Sequence, residues 1–144
     1  MLTVTSSKLI PMDAHRLWDV LTSPAAYPDW AANHVEFVGD VPAQFGAGTD
    51  YVQKVTSIGS KNDVKWRIEQ AEPGTRVVQS GSAPMGVKIT NTYALAPADD
   101  GTELTMTAEF SGAMVIAAKG MLERDTRATQ AKSLDNLVAL ASGG

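Results

Sequence analysis

The stretch of sequence that decides the fold is residues 114–140, MVIAAKGMLERDTRATQAKSLDNLVAL. It contains no proline and follows several segments of strand type, so it predicts one long helix from Met114 to Leu140. A helix of this size, with few others to share its burial, is accommodated most easily by a curved sheet that wraps around it. This arrangement predicts a cavity between the sheet and the helix.

The chain before this helix predicts one strand, two short helices and six further strands. Leu2 to Ile10 reads as a strand that Pro11 stops. Asp13 is a suitable N-cap for a helix from Ala14 to Leu21, and Ser23-Pro24 starts a second, brief helix.

Alternation of apolar and polar residues marks the six later strands. In the first of them, Val35 and Phe37 share one face and His34 lies on the other. Residues 59–63 predict a turn, and Asp99-Asp100-Gly101 predicts a hairpin. Because consecutive hairpins pair neighbouring strands and a twisted sheet of this size curls, we expect an α+β fold with a curved, seven-stranded antiparallel sheet around the terminal helix.

Composition narrows the functional class. With 144 residues and no glycine-serine linker, the chain fits a single domain over residues 1–144. The absence of cysteine excludes disulfides, thiolate zinc sites and a cysteine nucleophile, and it favours a reducing, cytoplasmic location. A net charge of −4 with scattered basic residues argues against nucleic acid as a partner. No segment approaches the roughly 20 apolar residues of a membrane span, and the N-terminus has no secretory signal pattern.

Three segments carry a resemblance to a known family: residues 11–30 (PMDAHRLWDVLTSPAAYPDW), 99–110 (DDGTELTMTAEF) and 131–140 (AKSLDNLVAL). They resemble the START-related (SRPBCC, helix-grip) superfamily, in its polyketide cyclase/dehydrase-like or lipid-transfer-like branch. The resemblance covers essentially the whole chain and implies a helix-grip fold with an apolar cavity beneath the long helix. It does not select an activity, because similar proteins include ligand carriers, polyketide cyclases, ubiquinone-binding proteins and chaperone co-activators.

The strand face that is predicted to look inward has the composition of a binding pocket. Apolar and aromatic walls supply burial energy, and a few hydrogen-bonding groups orient a ligand. The alternative is that these aromatic residues only pack a core. The candidate wall residues are Phe37, Tyr51, Trp66, Tyr93, Met106 and Phe110, together with the polar Gln53, Ser80 and Asn91 and with Trp30, which is either a lid residue or an anchor of its corner.

The terminal helix is expected to supply the opposite wall. An apolar stripe runs along Met114, Ala117, Met121, Ala128, Ala131, Leu134 and Val138, and its small or flexible first half would leave volume beneath it. Met114, Ala117 and Met121 are therefore candidate cavity residues. Arg124 is a further candidate at the mouth, where it or Asp125 could engage an acidic or phenolic ligand; the alternative is a solvated pair.

No cofactor or metal is predicted. The two histidines, His15 and His34, have no partner at metal-ligand spacing, and no catalytic residue can be assigned.

Three functions remain open at this stage. The first is a carrier or sensor of a small hydrophobic molecule that is lipid-, polyketide- or isoprenoid-like. The second is a cofactor-independent polyketide cyclase, aromatase or dehydratase that uses Tyr51, Tyr93, Asn91 or Arg124. The third is a protein-interaction module. The sequence leaves monomer and homodimer open.

Overall fold

One antiparallel sheet of seven strands forms the body of the molecule, with the strand order β1-β7-β6-β5-β4-β3-β2. The computed structural model describes residues 1–143. Strands β2 to β7 pair in sequence order, and β1 pairs with β7, so β1 and β2 are the two edges of the sheet. The strands are β1 (Leu2–Ile10), β2 (His34–Val38), β3 (Asp50–Ser57), β4 (Ser60–Glu72), β5 (Arg76–Ser82), β6 (Lys88–Ala98) and β7 (Gly101–Ser111). The predicted α+β helix-grip architecture is confirmed.

The turn between β3 and β4 is shorter than the sequence predicts. Ser57 pairs with Ser60, so Ile58 and Gly59 alone make the turn, with φ values of 50° and 75°. Two successive residues with positive φ are typical of the tight hairpin turn that follows the twist of the strands. The predicted extent of the turn, residues 59–63, was therefore wrong, because only Gly59 of this segment lies in the turn and residues 60–63 are already the beginning of β4.

Two short helices cross one end of the sheet. The first, α1 (Ala14–Leu21), has the predicted bounds, and the Asp13 carboxylate accepts a hydrogen bond from the backbone N–H of His15 at 2.8 Å. A 3₁₀ turn at Pro24–Ala26 leads directly into α2 (Tyr27–Trp30). Tyr27 and Trp30 are both buried, so α2 contributes two aromatic side chains to the core.

The terminal helix is divided, which corrects the prediction of one helix from Met114 to Leu140. A five-residue helix, α3 (Ala113–Ala117), precedes α4 (Lys119–Gly143), and Ala118 lies between them with φ −112° and ψ 19°. The two parts pack against different elements: α3 against β7 and the Pro84–Gly86 turn, and α4 mainly against β1 and α2. A corner is needed because the chain must leave the end of β7 before it turns across the sheet.

Gln130 fixes α4 to the edge strand β1. Its Nε2 donates to the carbonyl of Val4 at 2.9 Å, and its Oε1 accepts from the Ser6 hydroxyl at 2.7 Å. A backbone carbonyl on an unpaired edge is thereby satisfied and covered. Within residues 1–143, no helix has both the length and the apolar composition that crossing a membrane requires.

Candidate functional site

A hollow of about 120 Å³ lies between α4 and the inner face of the sheet. Its walls come from α2, from strands β3 to β7, and from the face of α4 that carries Asp125, Thr129 and Ser133. An engineered apolar cavity of about 150 Å³ is large enough to hold benzene. The hollow is therefore comparable to one aromatic ring and smaller than the roughly 300 to 1,000 Å³ of pockets for drug-sized ligands.

Half of the fourteen residues proposed from the sequence border this hollow. Six of them stand on the inner face of the sheet as the strand alternation predicts, since residues two apart in a strand share a face, and Trp30 lies on α2. The seven are Trp30, Gln53, Trp66, Asn91, Tyr93, Met106 and Phe110.

Phe37 and Tyr51 lie in the aromatic cluster behind the hollow. Tyr51 stacks on Phe45 with ring centroids 4.3 Å apart, and Phe37 packs edge-on against Tyr51 at 5.8 Å. Phe37 shares its face with His34, contrary to the sequence prediction, because an irregularity in the pairing of β2 shifts the register between His34 and Glu36. A bulge of this kind changes which side chains share a face.

Ser80 is on the outer face of the sheet, where its hydroxyl donates to the Glu69 carboxylate. The inward residues of β5 are Val77, Gln79 and Gly81, which are buried while their neighbours are half-buried or exposed. The sequence prediction chose the wrong parity for this strand. Gln79, which it missed, is the polar side chain that β5 directs into the core.

The predicted cavity stripe of the terminal helix faces solvent in its first part. Met114, Ala117 and Met121 are exposed, as is Arg124, whereas Asp125 is half-buried and borders the hollow. The buried side of α4 consists of Leu122, Gln130, Ser133, Leu134 and Leu137. Apolar periodicity missed this side because Gln130 and Ser133 are polar; they are buried because they bond to the backbone of β1 and to the N–H of Ala32.

A chain of hydrogen bonds leads from the hollow toward the surface. The indole Nε1 of Trp66 donates to Oε1 of Gln53 at 3.0 Å, and Nε2 of Gln53 lies 2.8 Å from Nδ1 of His34. With Gln53 as donor, Nδ1 must carry no proton. Burial lowers the pKa of His34 below its ordinary 6.5, and the charge of Glu36 opposes this shift. Both effects of the fold on His34, the hydrogen bond and the burial, favour the neutral imidazole.

A second polar group joins two phenols. Nε2 of Gln79 donates to the hydroxyl oxygens of Tyr27 at 3.1 Å and of Tyr51 at 2.9 Å. Burial raises the pKa of Tyr27 to about 12, although its hydrogen bonds to Gln79 and Tyr51 oppose the rise. Burial also raises the pKa values of Tyr51 and Tyr93. All three phenols therefore keep their protons near neutral pH and can act as hydrogen-bond donors.

Trp30 has the one buried side-chain nitrogen or oxygen in residues 1–143 that lacks a hydrogen-bond partner, its indole Nε1. The side chain is only 2% exposed and forms part of the wall of the hollow. Its backbone is held in place, since the carbonyl accepts from Nδ2 of Asn136 at 3.2 Å. The described residues contain no cluster of three or more His, Cys, Asp or Glu side chains that could hold a metal ion.

A wider depression of about 650 Å³ lies on the opposite face of the sheet. Arg67 and Lys88 border it, but Arg67 pairs with Asp50 at 3.2 Å and Lys88 donates to Ser82 at 2.8 Å. This depression is more open to solvent than the hollow under α4.

Known proteins provide an independent comparison. The model of a family described as polyketide cyclase / dehydrase and lipid transport matches residues 1–142. An uncharacterized protein of Mycobacterium tuberculosis is 26% identical over 120 residues, which cover 83% of this chain and 84% of that protein. Another protein of the same organism, named as a toxin, is 24% identical over 135 residues, or 93% and 94% of the two chains.

Solved structures agree with this fold. A crystal structure of a Rhodobacter sphaeroides protein superposes with a TM-score of 0.78 at 22% identity and covers 99% of this chain and 93% of that one. At this level of identity the likeness establishes the shared architecture.

Proposed function

Because this chain belongs to the polyketide cyclase/dehydrase and lipid transport family, we propose that it binds a small, largely apolar molecule in the hollow between α4 and the sheet. The observation that carries the proposal is the hollow itself, which places aromatic side chains such as Trp30, Trp66 and Phe110 beside numerous polar ones, among them Asn91, Tyr93 and Asp125. Such a wall excludes water from most of a ligand and orients it through a small number of hydrogen bonds.

The volume favours one of the three ligand types that the sequence leaves open. A space of about 120 Å³ accepts roughly one ring without rearrangement. A long acyl or isoprenoid chain would have to push α4 and the sheet apart, which costs packing energy on both sides. A compact, ring-shaped molecule of polyketide type is therefore the best-supported ligand class.

Binding can be tested by titration calorimetry with acetophenone as a one-ring probe and palmitate as a long-chain probe. We expect measurable binding of acetophenone and weaker or no binding of palmitate. Tight binding of palmitate alone would contradict the proposed ligand class, and binding of neither probe would contradict the proposed function for both classes.

A matched pair of variants assigns the signal to the hollow. Thr129 on α4 is half-buried and borders the hollow, whereas the adjacent Ala128 is exposed. Thr129→Phe should fill the space and weaken acetophenone binding by at least about tenfold, or about 1.4 kcal/mol. Ala128→Phe adds the same ring outside and should leave the affinity unchanged. Equal effects of the two substitutions would place the binding elsewhere.

A cofactor-independent cyclase, aromatase or dehydratase is the second candidate. Of the four residues considered for this chemistry, Tyr93 and Asn91 border the hollow, whereas Arg124 is exposed and Tyr51 lies behind the wall. The protonated phenol of Tyr93 could donate to a carbonyl oxygen of a folded polyketide chain. Incubation with a poly-β-ketone thioester analogue should then give a cyclised product, and Tyr93→Phe with Asn91→Ala should abolish it. Product formation that survives both substitutions would remove this candidate.

A cytoplasmic location and a monomeric or homodimeric state stay predictions from the sequence. Light scattering of the purified protein decides the oligomeric state, and fractionation of the source cells decides the compartment.

A further inference from the structure

The starting observation is the indole N–H of Trp30, which is buried without a hydrogen-bond partner in a side chain that borders the hollow. Trp30 is 2% exposed, and its ring is packed against Tyr27 at 5.1 Å and edge-on against Tyr93 at 6.0 Å between centroids. An indole nitrogen is a donor only, so it needs an acceptor. Native proteins rarely leave a buried donor without one.

Several polar groups near Trp30 already have hydrogen-bond partners. The Gln79 amide nitrogen donates to Tyr27 and Tyr51, and the other indole of the wall, that of Trp66, donates to Gln53. Trp30 thus differs from Trp66 and from Trp18, whose Nε1 donates to the carbonyl of Arg76 at 3.2 Å. Of the three tryptophans in the chain, it alone has no acceptor within residues 1–143.

We propose that Trp30 determines ligand specificity by donating its indole N–H to a carbonyl-type oxygen of the molecule bound in the hollow. This inference depends on the proposed function, because it requires an occupant there. The ligand class becomes narrower: a compact ring compound that carries a ketone or comparable carbonyl group. A hydrocarbon of equal size would leave the N–H of Trp30 buried and unpaired, and such a mismatch discriminates strongly between otherwise similar ligands.

Tyr93 supports the same assignment. It packs edge-on against the indole of Trp30, borders the hollow, and keeps its phenolic proton because burial raises its pKa. Two residues with donor groups thus border the space and contact each other. A carbonyl oxygen has two lone pairs and can accept from both.

The test compares two probes of nearly equal shape, acetophenone and ethylbenzene, by titration calorimetry. The measured quantity is the ratio of their association constants. Trp30→Phe keeps an aromatic ring and removes the N–H, so we expect this ratio to fall by about tenfold relative to the wild-type protein. Trp18→Phe removes an N–H that is bonded to backbone away from the hollow, and it should leave the ratio unchanged.

The outcomes separate the two proposals. Binding of both probes to the wild-type protein, with the same ratio in Trp30→Phe, overturns the role of Trp30 and leaves the binding function standing. Absence of binding of both probes overturns the two proposals together.

A second measurement on the wild-type protein keeps the inference testable if Trp30→Phe does not fold. The three tryptophans give three indole N–H signals in a ¹H–¹⁵N correlation spectrum. Acetophenone should move the Trp30 signal downfield, and ethylbenzene, which has the same ring, should not. A Trp30 signal that saturating acetophenone leaves in place would overturn the proposal.

Discussion

Gln79 is a buried amide that joins two phenol groups inside the protein. It is 2% exposed, and its amide nitrogen serves the hydroxyl oxygens of both Tyr27 and Tyr51. Replacement by leucine keeps the approximate size but removes both hydrogen bonds. We expect Gln79→Leu to lower the free energy of unfolding by about 1 to 3 kcal/mol, as measured by urea denaturation.

Gln70 provides the control for this substitution. It lies on β4 and is exposed, so Gln70→Leu makes the same chemical change at the surface. Its effect should stay within about 0.5 kcal/mol. If Gln79→Leu proved as mild as this control, the two phenols would not depend on the amide.

His34 makes the stability of the protein depend on pH. Because burial lowers its pKa below 6.5, the folded state binds the proton more weakly than the unfolded state does. Protonation would also place a proton on Nδ1, which lies 2.8 Å from the amide nitrogen of Gln53. The contribution of His34 is therefore complete above pH 6.5 and is lost as the pH falls through 6.5 toward the lowered pKa.

The measurement is the difference in unfolding free energy between wild type and His34→Gln across pH 5 to 8. The wild-type protein should lose stability relative to the variant as the pH decreases. Carboxylates titrate in both proteins, so their effect cancels. A difference in unfolding free energy that stays constant over this range would show that His34 has the same pKa in the folded and the unfolded protein.

At the scale of single residues, the alternation of apolar and polar residues predicted most of the inward-facing side chains, but it did not predict Gln79. On β4, Val64, Trp66 and Ile68 alternate with charged residues, and their burial was predictable. On β5, Val77 and Val78 are adjacent, so the apolar pattern does not define a parity. Gln79 is buried because it forms hydrogen bonds with the hydroxyl groups of Tyr27 on α2 and Tyr51 on β3. These contacts join segments that are distant in the sequence, so no local pattern predicts them.

At the scale of secondary-structure elements, the packing of β5 beside β4 depends on a glycine. Gly81 pairs with Trp66 across the strands, and a Cβ on it would lie 2.6 Å from Cε3 of the Trp66 ring. Gly81→Ala should therefore displace this indole and lower the free energy of unfolding by about 1 to 3 kcal/mol. Denaturation gives the energy, and the near-ultraviolet circular dichroism of the tryptophans reports the displacement.

Gly46→Ala is the matched control, since a Cβ at Gly46 has nothing within 4 Å. It should change neither the stability nor the spectrum by a comparable amount. A Gly81→Ala protein with wild-type stability and an unaltered spectrum would mean that Trp66 does not depend on the missing side chain.

The sequence predicted which elements exist better than how they are joined or bent. The bounds of α1 follow from its cap and apolar stripe, and the structure reproduces them. The break at Ala118 has no signal of its own, because alanine favours helix and the nearby Gly120 is helical. Likewise, the irregularity between His34 and Glu36 is set by pairing with β3 rather than by the residues of β2.

In the molecule as a whole, the topology was the most predictable property. Turn signals between successive strands imply hairpins, and hairpins fix most of the neighbours in the sheet. The pairing of β1 with β7 joins the first and the last strand of the chain, and no turn signal predicts it. The volume of the hollow could not be predicted, because alternation tells which side chains face inward but not how closely they meet.

The corner at Ala118 has a consequence for the motions of the whole molecule. Of the five residues of α3, Val115 alone is buried, and Ile116 is 76% exposed, whereas α4 is anchored by five buried side chains. Segments with few buried contacts open with a small fraction of the global unfolding energy. Amide hydrogen exchange should therefore be faster in α3 than in the central turns of α4, and equal protection of the two would contradict this.

Val115 packs in one cluster with Phe110, whose side chain borders the hollow. Each local opening of α3 would thus loosen part of that wall while α4 and the sheet stay in place. If a ligand binds in the hollow as proposed, the rate of its entry and release would then depend on the local opening of α3, which solvent conditions can change without unfolding the protein.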